Sequence, residues 1–385
     1  MKIFRIEIDK DRIFGLDILR SLAILFVVVE HGKYLLPKKM RQINDLIVFD
    51  GVSIFFVLSG FLIGGILLRT LENRGMSVGV LMDFWIRRWF RTIPNYFLIL
   101  TLLVTLQILF GSGFFSGSFY QYFYFSQCLI SPHPAFFPEA WSLCVEEWFY
   151  LVTPIAIFIV AFAANGKHRI GIASTAAFII ILVTFFRFYK FTIVPIENFH
   201  DWDKLFRKQV ITRLDSLMFG VVGAYLNFYH RDLWLKRKHI TFACGLSLML
   251  ATKYIFPMIS SETGVYNTVF SFSLVSLSTL LVLPFLNSIK AGKGLIAKLF
   301  TYISLISYSM YLLNLSIVQY WIIGKIPWTF FISNSYLLVI TKYLFYWISV
   351  LSLSILLYKY FEIKMTKCRD MFNPIRNKLT VSKKN

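Results

Sequence analysis

A stretch of about twenty apolar residues that also carries charge has few places to go in a folded protein. Such a stretch, LDILRSLAILFVVVEHGKYLL, occupies residues 16–36. It is long enough to cross a bilayer, yet it holds Asp17, Arg20, Glu30 and His31. Charge inside a spanning helix is costly, so such residues are kept for pairing or for chemistry. At about 100° per residue, Arg20 and His31 fall within roughly 20° of one face, Asp17 shares their stripe and Glu30 turns away. At about 1.5 Å per residue, Arg20 and His31 stand roughly 16 Å apart along the axis. The stripe reads as the wall of a site, with an ionic pair of Asp17 and Arg20 near one membrane surface and a titratable imidazole deeper in.

Apolar runs of similar length recur along the 385 residues, which are 57% apolar and 16% charged, whereas a soluble domain carries about 25% charged residues. The runs are continuous rather than alternating, which excludes a membrane β-barrel. The expected fold is therefore all-α, a polytopic transmembrane helical bundle. About ten spans are predicted, over residues 16–36, 46–68, 95–110, 140–163, 170–188, 210–228, 240–256, 266–286, 300–323 and 335–358. The first run exceeds a signal-peptide h-region, contains charge and lacks a small-residue cleavage site, so no cleaved signal is expected.

The net charge of +20 does not point to nucleic acid, because Lys and Arg sit in short loops and at helix ends, as topology determinants do. With the N-terminus inside, the inner loops hold the excess of Lys and Arg, and residues 111–138 hold neither. Both termini are thus expected in the cytoplasm, with residues 1–362 as the membrane-embedded domain and 363–385 as a basic cytoplasmic tail. Cys128, Cys144, Cys244 and Cys368 lack metal-ligand spacing and read as unpaired packing residues. No metal site and no permanently bound cofactor are expected.

Three groups of residues could carry chemistry. His31 can accept a proton from a hydroxyl, or simply bond a neighbouring helix. In WSLCVEEWFY, Ser142, Glu146 and Tyr150 recur every four residues and form one polar stripe. Glu146 there could orient or steady His31, the alternative being a structural ion pair with Arg213. On the amphipathic segment 76–94, Arg88 and Arg91 are three apart and share a helix face. Guanidinium forks suit phosphate, but loops on the inner side also carry arginine for topology alone. Arg213 and Asp215 open the sixth span and Asp50 the second, where Gly60, Gly64 and Gly65 would allow close helix packing. Asn314 lies in an unusually polar ninth span.

Taken together these motifs resemble acyltransferase family 3, integral membrane proteins that acylate sugars and other acceptors. LDILRSLAILFVVVEH is similar to the family's opening motif, an Arg and a His with ten residues between them, here Arg20 and His31. FDGVSIFFVLSGFLI resembles its second-span signature, and IRRWFRTIPNY its cytoplasmic RxxR element. WSLCVEEWFY matches an SxxxExxxY element, TRLDSLMFG the segment around Arg213 and Asp215, and ISYSMYLLN a late-span motif. Relatives often carry histidine where this chain has Asn314, which can hydrogen-bond but not titrate. Some also carry an SGNH-type domain; without one, the membrane domain is expected to act alone or with a separate partner.

The resemblance implies transfer of an acyl group, commonly acetyl, from cytoplasmic acyl-CoA to a hydroxyl of an envelope glycan, such as lipopolysaccharide O-antigen or exopolysaccharide. His31 and Glu146 would be catalytic and Arg88, Arg91 and Arg20 would bind acyl-CoA. Asp17, Ser142, Tyr150, Arg213 and Asp215 would support them. The expected location is the bacterial cytoplasmic (inner) membrane, and the expected partners are acyl-CoA, a glycan or lipid-linked sugar, and the bilayer, not nucleic acid. The rival reading is a transporter or exporter of a lipid-linked or small anionic solute. The absence of an internal repeat argues against it.

Overall fold

The computed structural model describes residues 12–111, 119–261 and 263–369. Part of the expected outer loop and the end of the expected tail lie outside the described residues. Among the described residues there is no strand. The helices are α1 (Phe14–Gly32), α2 (Lys38–Ile47), α3 (Gly51–Arg74), α4 (Val78–Phe110), α5 (Ala140–Ala163) and α6 (His168–Ile193). They continue through α7 (Phe199–Trp202), α8 (Leu214–Tyr229), α9 (Arg231–Lys236), α10 (Lys238–Leu250) and α11 (Phe256–Ile259). The last are α12 (Ser271–Ser288), α13 (Gly294–Leu313), α14 (Trp328–Phe331), α15 (Ser335–Leu357) and α16 (Ile363–Cys368).

The chain is a polytopic helical membrane bundle, and each of the ten expected spans falls on one of these helices. Among the described residues eight helices are long and apolar enough to cross a membrane. The other two expected spans are α1, which carries Asp17, Arg20 and Glu30, and α8, which has only 16 residues. Both are held inside the bundle, α1 against α13 and α3, and α8 against α3 and α6.

Two boundaries differ from the sequence expectation. The amphipathic segment 76–94 and the third span are one helix: α4 runs 33 residues straight through Pro94. A proline removes a single N–H donor, a loss that helices in membranes tolerate because neighbours re-satisfy the backbone. At the other end, the last spanning helix runs from Ser335 to Cys368, past the expected end of the tenth span at 358.

Local chemistry sets the helix starts. Asp50 caps α3 by accepting from the N–H groups of Val52 and Ser53, each at 3.2 Å, and Ser77 caps α4 through Val80 N–H at 3.3 Å. Gly75, at φ +66, makes the reversal between them. The α3–α8 crossing depends on small residues. A Cβ on Gly60 would lie 1.9 Å from the Leu217 carbonyl oxygen, and one on Gly220 would lie 2.1 Å from that of Val57. Gly64 also packs on α8, whereas Gly65 has no neighbour within 4 Å and borders the cavity described next.

Candidate active site

A cavity of about 490 Å³ penetrates the bundle from the end at which α1 begins. Along α3 it is bordered by Val52, Phe55, Ser59, Leu62, Ile66 and Arg69, a helical stripe that makes it about 25 Å long at 1.5 Å per residue. Arg69, Arg231 and Lys290 stand at its mouth; Arg20, Arg88, Arg91, Glu146 and Tyr150 lie further along; Ser142 and Tyr311 line it as well. Seven cationic side chains and two carboxylates line it in all. One of those carboxylates, Asp17, is already taken by Arg12 and by the Ser304 hydroxyl at 2.7 Å.

The three neighbouring arginines of α4 have different fates. Arg87 pairs with Asp83 at 3.1 Å, and Asp83 also receives Arg74 at 3.3 Å. Arg88 and Arg91 instead line the cavity with Arg20. Among the described residues none of these three makes an ion pair, and the Arg88 Nε is buried without a hydrogen-bond partner. Glu146 is the carboxylate that feels the charge of all three. It accepts from Tyr150 Oη at 2.9 Å, and that hydroxyl lies 2.8 Å from Ser59 Oγ. Ser142, Glu146 and Tyr150 thus share one wall, while Glu147 turns away to Thr92 at 2.6 Å. Guanidinium groups gathered in a cavity with more cations than carboxylates favour an anionic ligand.

His31 does not line this cavity. It sits near the far end of α1, with Nδ1 2.5 Å from Asn314 Oδ1 and with Lys33, Arg207 and Lys208 as its charged neighbours. The Tyr311 hydroxyl, one turn before Asn314, lies 2.6 Å from Ser142 Oγ and donates to the Glu139 carbonyl at 3.0 Å. A single turn of α13 therefore links the cavity, through Tyr311, to the imidazole, through Asn314.

A family model described as an acyltransferase domain matches residues 13–359. The chain belongs to acyltransferase family 3. A Staphylococcus aureus (strain COL) protein provisionally named an O-acetyltransferase is 27% identical over 362 residues, which cover 85% of this chain and 55% of that protein. The peptidoglycan O-acetyltransferase OatA of Listeria monocytogenes serovar 1/2a is 31% identical over 160 residues, 38% of this chain and 24% of OatA. A Bacillus subtilis (strain 168) protein, YrhL, provisionally named a peptidoglycan O-acetyltransferase, is 30% identical over 174 residues, 41% of this chain and 25% of YrhL. The chain spans about half the length of the Staphylococcus aureus relative. No solved structure matches it.

In this acyltransferase domain several expected pairings are replaced by others. Asp17 pairs with Arg12 rather than with Arg20, which leaves Arg20 free to face the cavity. Glu146 bonds Tyr150, not His31. Arg213 is not the partner of Glu146 either: it donates to Ser53 Oγ at 2.6 Å and lies 4.3 Å from the centre of the Phe272 ring. Asp215 is bound by Arg187 at 2.7 Å, with both side chains fully buried, and by Ser273 Oγ at 2.8 Å. Sequence reasoning missed Arg187, which lies within a run of aromatic residues and has no motif around it. It also missed Arg69, Arg231 and Lys290, which look like ordinary topology-setting charges until the fold brings them to one opening. Among the described residues no three His, Cys, Asp or Glu side chains gather as a metal site would require.

Proposed function

We propose that this protein is a membrane O-acyltransferase that moves an acyl group, in the first instance acetyl, from cytoplasmic acyl-CoA to a hydroxyl of a cell-envelope glycan. The observation that carries the reading is the cavity, long, lined by cations at its mouth and partway in, and apolar along much of the rest. That shape suits a donor with a phosphate-rich head and a long thin arm. Arg69, Arg231 and Lys290 meet the head at the mouth, and Arg88, Arg91 and Arg20 hold phosphate further in. The arm runs along α3 and brings the thioester toward Ser142 and Tyr311. The names of relatives support O-acetyl transfer, and two name peptidoglycan as the acceptor.

In the reaction His31 removes the proton from the acceptor hydroxyl, and the oxygen attacks the thioester carbonyl. A C–O bond forms, the C–S bond breaks, and the thiol of coenzyme A leaves with a proton. His31 does not line the cavity, so in this reading acyl and imidazole meet across the turn from Tyr311 to Asn314, whose side chains touch Ser142 and His31. Glu146 balances the arginines and orients Tyr150 beside the donor. The excess of Lys and Arg in the loops at the end where the cavity opens supports a cytoplasmic mouth, with His31 toward the acceptor side.

The test uses the purified protein in lipid nanodiscs with labelled acetyl-CoA and a soluble glycan fragment. Labelled glycan should appear, and His31→Gln should abolish it while insertion and fold persist. A transporter would leave acetyl-CoA intact, and full activity of His31→Gln would remove the histidine from the mechanism.

A further inference from the structure

The side-chain amide of Asn314 is fully committed on one side. Its Nδ2 donates to the carbonyls of Met310 and Tyr311, each at 2.8 Å. An amide nitrogen has two protons, so both are spent and Oδ1 remains as an acceptor only. Turning the amide over would set Oδ1 against two carbonyl oxygens, so the network itself fixes which atom is which. Oδ1 meets His31 Nδ1 at 2.5 Å. Two acceptors do not approach that closely, so Nδ1 carries the proton. In the neutral imidazole the lone pair is then on Nε2.

We propose that Asn314 is a positioning residue that holds His31 as the Nδ1–H tautomer and leaves Nε2 to take the proton of the acceptor hydroxyl. The proposal rests on the reading of His31 as the base. Asn314 is itself rigidly placed. It is fully buried and stands where α13 passes into a π-helical stretch, Asn314–Ile322, a distortion common at functional sites. Two residues on, Ser316 gives its backbone N–H and its hydroxyl to Glu139, at 3.1 and 2.6 Å. The turn from Tyr311 to Ser316 is thereby pinned to the start of α5 at both ends. His31 Nε2 has no hydrogen-bond partner among the described residues, and the ring is only half-buried. The imidazole is thus free on the side where a substrate proton would arrive. A neutral amide does this without titrating, so the tautomer is held across the working pH range, with Lys33, Arg207 and Lys208 as the charges around the ring.

The experiment is nitrogen-15 NMR of the histidine-labelled protein in nanodiscs, with the His31 signals identified by their loss in His31→Gln. Wild-type protein near neutral pH should show a protonated Nδ1 and a bare Nε2. Asn314→Leu should lose that preference and lower kcat about a hundredfold with donor KM unchanged. Asn314→Gln, which keeps an amide with both its acceptor and its donor hydrogens, should restore the tautomer and recover at least tenfold of the lost kcat. A wild-type spectrum with Nε2–H overturns the proposal without any variant, as does an Asn314→Leu protein with unchanged tautomer and rate. If the tautomer is as stated but His31→Gln still transfers acyl groups, the assignment stands and the catalytic reading of His31 falls.

Discussion

Arg87, Arg88 and Arg91 show how much a single residue's meaning depends on what lies opposite it. All three sit on the same stretch of α4, yet Arg87 is spent on Asp83 while Arg88 and Arg91 line the cavity and make no ion pair among the described residues. Charge-assisted hydrogen bonds to a phosphate are worth roughly 1.5–3 kcal/mol each. Arg88→Ala and Arg91→Ala should therefore each raise donor KM by about tenfold or more with little change in kcat, read from initial rates against labelled acyl-CoA. Arg87→Ala should leave donor KM within about twofold. Arg187 and Asp215 make the opposite case, a pair with no exposure at all. Arg187→Met strands a buried carboxylate and should cost about 3–5 kcal/mol, measured by denaturant unfolding in detergent. Adding Asp215→Leu should recover most of that loss, and a double variant as unstable as the single one would contradict a purely structural role. The i, i+3 spacing of Arg88 and Arg91 was legible in the sequence. The identity of Arg187 as the partner of Asp215 was not, because a contact between α6 and the start of α8 leaves no local pattern.

At the scale of elements, the seam between α3 and α8 is set by backbone approach. Gly60 and Gly220 each face a carbonyl of the other helix at a distance no Cβ can occupy. Gly60→Val should push the helices apart and lower stability by about 1–3 kcal/mol, seen as a lower thermal midpoint. Gly65→Ala, with open space beside it, should fold as the wild type does. The segment after α7 carries an electrostatic clasp: Asp203 holds Arg207 at 3.1 Å and Lys208 at 2.5 Å. Burial pushes the Asp203 carboxyl up, but Arg207 and Lys208 outweigh it and hold it below the usual carboxylate range. A depressed pKa contributes stability above the unfolded-state value, about 3.9, and loses it as pH falls from there through the folded value. Acid unfolding below about pH 4 should accordingly be blunted in Asp203→Asn, which lacks this linkage at every pH. A variant that shows the same acid slope as the wild type would remove the clasp from the account.

At the scale of the molecule, the loop charges and the cavity give one direction. By the positive-inside expectation the end bearing Arg69, Arg231 and Lys290 faces the cytoplasm, and these three line the cavity. That expectation puts Glu197, beyond α6, outside and Cys368, at the end of α16, inside. In a background where Cys368 is the one remaining cysteine, a membrane-impermeant thiol reagent should label it only after permeabilisation. Glu197→Cys should be labelled in intact cells, and the reverse pattern would invert the topology and move the donor to the wrong side.

Hydrophobic length, charge placement and motif spacing by themselves determined the class of fold, the stretch of chain on which each expected span falls and the family, because these depend on what each segment does in a bilayer. The start of α4 at Val78 was not among them. The stripe of Arg20 and His31 on α1 was also visible, since helical periodicity is a local property. Pairing was decided by tertiary structure alone. Asp17 was given to Arg12, Glu146 to Tyr150, Asp215 to Arg187, and His31 to Asn314. The physical reason is that a buried charge or amide must find its complement in three dimensions, and helices far apart in sequence supply it.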